Sequence, residues 1–102
     1  MMVPDPDLTD AAPGPRLSGL TIGALSLNPA FDPDVTEYLV TTSNATNKIT
    51  ATSESGTIAI TLNGEAHENG TAASWSVGSN TVVVTLTDDD AETAYTISVI
   101  KS

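Results

Sequence analysis

The sequence predicts an all-β fold, an antiparallel sandwich preceded by a stretch of extended chain, and three observations predict it. Apolar residues recur at every second position rather than at helical spacing, the positions between them are largely Thr and Ser, and the runs are short and divided by turn-forming residues. Such alternation gives a strand one dry face and one wet face, and β-branched side chains suit both. About seven such runs, at a spacing of roughly 8–12 residues, indicate an immunoglobulin-like sandwich, with a small barrel as the alternative.

The elements follow in order. Residues 1–16 hold four of the six prolines (Pro4, Pro6, Pro13 and Pro15) and three aspartates, so they read as an arm or linker, and the domain spans residues 17–102. Leu20 and Ile22 alternate, as do Leu25 and Leu27 after Gly23. The segment LNPAFDPDVTEYLV (27–40) reads as a crossing that leads into a strand, because Pro29 and Pro33 cannot donate to a ladder. Phe31 is expected to plug an open end of the sandwich. Asp34 and Thr36 are expected to bond nearby backbone at the strand entry, and Tyr38 to face the core with a partner for its hydroxyl. Tyr38 and Val40, Ile49 and Ala51, and Ile58, Ile60 and Leu62 then alternate. So do Trp75 and Val77, Val82, Val84 and Leu86, and Tyr95, Ile97 and Val99. Asn63-Gly64 is a hairpin signal, and Glu54-Ser55-Gly56, Gly78-Ser79-Asn80 and Asp88-Asp89-Asp90 mark further turns.

The 102 residues are enough for one core, with roughly two-thirds of the chain's surface buried on folding. There is no cysteine, which excludes disulfides and thiolate metal sites. Arg16, Lys48 and Lys101 face thirteen acidic residues, for a net charge of −10. These three form no basic stripe that could neutralise phosphates, so neither nucleic acid nor an anionic membrane is an expected partner. No apolar run approaches a membrane span, and MMVPDPDLTDAAPGPR lacks the basic and apolar regions of a signal peptide. If the sequence is a whole gene product, export by that route is not expected.

Catalysis has little to build on. The single histidine, His67, reads as a solvated loop residue, and neither an oriented base nor an oxyanion site leaves a trace. Asp88, Asp89, Asp90 and Glu92, or Asp32 and Asp34, could offer oxygens to Ca²⁺, but a charged hairpin turn is the plainer reading, and no cofactor is expected. Lys48 and Lys101 are the only lysines and neither lies on the first strand, so no Lys–Asn cross-link is expected. Asn44-Ala-Thr46 and Asn69-Gly-Thr71 fit the glycosylation pattern by chance in a Thr-rich chain. Leu39, Val83 and Ile100 lie off phase from their inward neighbours. They are candidates for a docking patch on an outer face, as are Pro4, Asp5, Pro6, Leu8, Pro13 and Pro15 of the arm.

Four pieces carry a family resemblance: the opening Leu17–Leu20 (L-S-x-L), the Leu27–Tyr38 segment (L-x-P-x-F-x-P-x-x-x-x-Y), the Gly78–Val82 hairpin (G-x-N-x-V) and the closing Tyr95–Val99 (Y-x-I-x-V). Together they resemble the cadherin-like β-sandwich domain of bacteria and their phages, over roughly residues 17–101. The resemblance implies a non-enzymatic spacer, stalk or adhesion unit, usually repeated along large surface proteins, with no catalytic residues to carry over. This sequence holds a single copy and lacks the interdomain calcium motifs of true cadherins.

The expected function is therefore a small virion protein of a tailed phage, a capsid decoration or head-fibre protein, displayed at the virion surface. Its arm would dock on a capsid or other virion protein, with self-association inside the assembly as an option. The alternatives are one module of a bacterial cell-surface or extracellular protein, and a carbohydrate-binding module built on Phe31, Tyr38, Trp75 or Tyr95.

Overall fold

Strand pairing follows the alternation of the sequence. A computed structural model describes residues 15–89 and 91–102. In them the chain forms β1 (Leu17–Ile22), β2 (Glu37–Thr42), β3 (Thr46–Ser53), β4 (Thr57–Leu62), β5 (Glu65–His67), β6 (Thr71–Ser74), β7 (Gly78–Asp88) and β8 (Ala91–Lys101). One sheet has the order β1-β3-β6 and the other β2-β8-β7-β4-β5. The arm residues Pro4, Asp5, Pro6, Leu8 and Pro13, and Asp90, lie outside the described residues.

The core is the sum of the two inner faces. Leu20 and Ile22, Ile49 and Ala51, and Ala73 come from the smaller sheet. Tyr38 and Val40, Ile60, Val82, Val84 and Leu86, and Tyr95, Ile97 and Val99 come from the larger, and all are buried. Leu17 faces inward too, although it is three residues from Leu20. The register slips between Leu17 and Gly19, so the extra residue returns both leucines to the same face. A Cβ at Gly19 would lie 2.8 Å from Thr52 Oγ1, so a side chain there would have to displace the threonine hydroxyl.

The structure departs from the sequence reading in several places, each with a local cause. The described residues form eight strands rather than about seven, because His67 lies not on a loop but on β5, which pairs with β4 across the Asn63-Gly64 hairpin. The sandwich is not wholly antiparallel, since β2 runs parallel to β8 from Glu37↔Thr96 to Thr42↔Lys101. The chain between these two parallel strands runs through β3 to β7, as long a connection as a parallel pair needs, and residues 23–36 form the crossing from β1 in the smaller sheet to β2 in the larger. Leu25 and Leu27 sit in that crossing, half-buried against the core, and not on a strand. The crossing turns back beside β2, where Asn28 and Leu39 exchange backbone hydrogen bonds of 3.0 and 2.8 Å. This bridge covers part of the free edge of β2, which would otherwise offer unpaired backbone to another chain.

Trp75 and Val77 do not share a face. β6 ends at Ser74, Trp75 N–H donates to Ala45 C=O (2.9 Å), and Gly78 takes φ 101° to begin β7. That turn leaves Trp75 buried and swings Val77 out to 79% exposure. Gly78-Ser79-Asn80 thus opens β7 rather than lying between strands.

Asn80 holds this corner together and is fully buried. Its Oδ1 accepts from Ser76 N–H (2.9 Å) and from Asn63 Nδ2 (3.2 Å). Its Nδ2 donates to the carbonyls of Ser76 (2.8 Å), Gly78 (3.2 Å) and Val99 (3.3 Å). A buried carboxamide with every partner in place fixes one geometry; its loss strands buried backbone groups. Asn80→Ala is therefore expected to lower stability by about 3 kcal/mol, read as a lower urea midpoint at unchanged slope. Tyr95→Phe removes a hydroxyl that accepts from Leu17 N–H (3.1 Å) and donates to Pro33 C=O (2.8 Å). It should cost about 1–3 kcal/mol in the same assay.

Candidate functional site

Two poles and one sheet face are the surfaces that a partner could use. At the first pole the described chain enters through Pro15 and Arg16, the only arm residues described. Arg16 Nε donates to Asp34 Oδ1 at 2.8 Å, the one ion pair among the described residues. The turn beneath is capped by Asp32 rather than by Asp34. Asp32 Oδ1 accepts Asp34 N–H (2.9 Å), and Asp32 C=O accepts Val35 N–H (2.9 Å). Thr36 contributes its backbone carbonyl to Thr96 N–H (2.8 Å). A shallow depression here is lined by Arg16, Leu17, Ser18, Pro33, Glu54 and Ser55.

Phe31 is half-buried against the core, its ring stacked on Tyr38 with centroids 6.1 Å apart. The Tyr38 hydroxyl donates to Asp32 C=O (2.6 Å) and accepts Asp32 N–H (2.9 Å), so the crossing is closed on the tyrosine that ends it. This is the hydroxyl partner that a core-facing Tyr38 requires.

The docking candidates Leu39, Val83 and Ile100 all lie on the outer face of the larger sheet. Leu39 is 43% exposed, Ile100 is 37% exposed and Val83 is half-buried. Leu39 pairs with Ser98 and Ile100 with Thr41, so the two are diagonal neighbours on adjacent strands. Val83 lies one strand further on, opposite Thr96 and Thr61. Thr and Ser side chains fill the ground between them. Val77, which the sequence reading placed inward, adds an exposed apolar tip at the second pole, next to the Gly78↔Lys101 pair.

The acidic hairpin closes β7 onto β8 at the first pole. Asp88 pairs with Ala91 and accepts from Ser55 Oγ at 2.8 Å, and Asp89 takes φ 55° at the turn. Glu92 stands opposite Thr87. Among the described residues no group of three or more His, Asp or Glu is placed to hold a metal ion. His67 Nε2 lies 3.0 Å from Thr71 C=O and 3.2 Å from Thr71 Oγ1. The Thr71 hydroxyl already donates to Glu68 C=O (2.7 Å), so Nε2 carries the proton in this contact.

Trp75 is 7% exposed and its Nε1 donates to Asn47 Oδ1 (2.9 Å). With Tyr38 and Tyr95 also buried, Phe31 is the one aromatic residue with partial exposure, and its ring is already stacked on Tyr38. Asn69 does backbone work: Oδ1 accepts Ala51 N–H (2.9 Å) and Nδ2 donates to Ala51 C=O (2.8 Å). A glycan on Asn69 would have to disturb that pair, whereas Asn44 is exposed. Sequence reasoning missed the asparagine contacts because a carboxamide that replaces a ladder partner has no periodic signature.

Burial is the largest influence on the Tyr38 phenol and pushes its pKa above the ordinary value of 10.0. The nearby Asp32 carboxylate adds to the rise, and the Asp32 backbone bond opposes it. A group that holds its proton more tightly when folded contributes stability that is complete below its unfolded pKa and is lost as pH rises through the folded one. Wild type and Tyr38→Phe, compared by urea unfolding from neutral pH to about pH 11, should therefore converge in stability at the alkaline end. A constant gap across that range would show that Tyr38 ionisation does not oppose the fold.

No curated protein matches the sequence. The family model for the cadherin-like beta sandwich domain matches residues 18–102, which covers both sheets from within β1 to the end of β8. The chain belongs to the family of cadherin-like beta sandwich domains.

Proposed function

We propose that this domain is a non-enzymatic display module of a tailed-phage virion, docked on the shell through residues 1–16 with its sandwich projecting outward. The cadherin-like beta sandwich is a structural, adhesion-type fold. The observation that carries the reading is the placement of the domain's two ends. β1 begins at the pole where Leu17 meets Tyr95 and Ser53, beside the β7–β8 hairpin. β8 ends at the opposite pole, where Lys101 pairs with Gly78. Between the β7–β8 hairpin and that pole β8 runs for eleven residues, about 33 Å at roughly 3.3 Å per residue. A partner that holds the arm at the first pole therefore points the second pole, with Val77, away from itself. The net charge of −10 keeps neighbouring copies apart and in solution.

The same in-line entry and exit favours a second reading, one unit of a longer bacterial cell-surface protein that acts as spacer or adhesin. Cryo-microscopy of virions with and without the gene separates the two. Under the first reading, deletion removes a projecting density from the shell, and a label fused after Ser102 appears at larger radius than one placed before Pro15. Unchanged shell density overturns the virion reading and leaves the cell-surface one.

A further inference from the structure

We infer that Asn63 is a deamidation site gated by the fold, and that the chain's other Asn-Gly step, Asn69-Gly70, is locked. Deamidation at Asn-Gly begins when the glycine nitrogen attacks the asparagine Cγ. A C–N bond forms and closes a succinimide, the glycine N–H proton passes to water or hydroxide, and Nδ2 leaves as ammonia. Water then opens either carbonyl to give an aspartyl or isoaspartyl residue. The reaction needs a free electrophile, a free nucleophile and access for water.

At Asn69 the fold withholds both reacting groups. Oδ1 and Nδ2 are each bonded to Ala51 backbone, and Gly70 N–H donates to Ile49 C=O at 2.8 Å. At Asn63 the electrophile is restrained and the residue's own N–H donates to Thr81 C=O (2.7 Å), but among the described residues the Gly64 nitrogen makes no backbone bond. Oδ1 accepts Thr81 N–H (2.8 Å) and Nδ2 donates to Asn80 Oδ1 (3.2 Å), a long bond. Both residues of this turn have positive φ, 52° at Asn63 and 87° at Gly64, and nothing crowds the space where a Gly64 side chain would be. Both residues are exposed, so hydroxide reaches the glycine nitrogen. The restraint on Asn63 comes mainly from β7 and Asn80, so release there follows a local opening of one hairpin. At Asn69 both carboxamide bonds must break and the Gly70 nitrogen, the attacking atom, must leave Ile49 C=O as well.

The modification would also have an effect beyond position 63. A carboxylate in place of the carboxamide sets two acceptors against Asn80 Oδ1, and Asn80 holds Ser76 at the base of the Val77 tip. Deamidation at Asn63 would therefore loosen the second pole while leaving the first intact.

The test is peptide mapping by mass spectrometry of the full chain, incubated in mildly alkaline buffer and sampled over days, with and without urea. In the folded chain, position 63 is expected to deamidate at least about tenfold faster than position 69, the factor given by little more than one net hydrogen bond. In urea the two rates should rise and converge. Asn80→Ala should accelerate position 63 alone; if it unfolds the chain both sites rise together, and the wild-type ratio decides. Equal rates at the two positions in the folded chain, or a rate at position 63 that urea does not change, overturns the inference.

Discussion

The hydroxyl of Tyr95 accepts a hydrogen bond from Leu17 and donates one to Pro33, across sequence separations of 78 and 62 residues. Among the described residues β1 pairs only with β3, and the backbone of the crossing reaches β3 at Gly23, β2 at Asn28 and β8 at Thr36, so no ladder joins β1 to the crossing or to β8 at this point. One buried phenol therefore connects the first strand, the long return and the last strand. Tyr38 makes the complementary closure inside the crossing through Asp32, with Phe31 stacked on its ring. Between them the two tyrosines explain how a segment with two prolines, which can offer little ladder of its own, holds one course. The parallel β2–β8 pair, the covered edge of β2 and the depression beside Arg16 all depend on that course.

Asparagines do a second job that strands cannot. At two of the places where the chain leaves one sheet for the other, a carboxamide, which carries both a donor and an acceptor, replaces the partners that backbone groups lose. Asn69 does this beside β3, where β6 has not yet begun, and Asn80 does it at the start of β7. Asn47 receives the Trp75 indole. These contacts are neutral. The one ion pair among the described residues is solvent-exposed and contributes little. Added salt therefore acts on this fold mainly by screening the repulsion among its acidic residues, not by weakening the bonds that shape it.

Much of this was legible in the sequence, and the rest has identifiable physical reasons. Alternation placed Tyr38, Val40, Ile49, Val82, Val84, Leu86, Tyr95, Ile97 and Val99 on inner faces, because a half-buried strand leaves no other choice. It failed at Trp75–Val77, where the strand ends between the two residues, and at Leu25–Leu27, where apolar spacing arose from a crossing that lies on the core. It could not show that β2 is parallel to β8, since direction depends on where a connection comes back and not on which residues are apolar. Of the surface candidates, Leu39, Val83 and Ile100 could be recognised by their phase. Val77 could not, because its exposure comes from a turn defined by Asn80 and Gly78.

The arrangement of β8 has a mechanical consequence. Its last residues are flanked on one side by β2 and on the other by β7, while β1, at the other end of the domain, is held by β3. A pull applied between the two ends runs along these strands, nearly at right angles to the antiparallel ladder bonds. Those bonds are loaded in shear, many at once, instead of being opened one after another like a zip. β8 cannot slide without breaking rows on both of its sides, and only one of those rows belongs to its hairpin. The parallel contact with β2 thus works as a clamp on the exit strand, making the domain stiff along the line between its two ends.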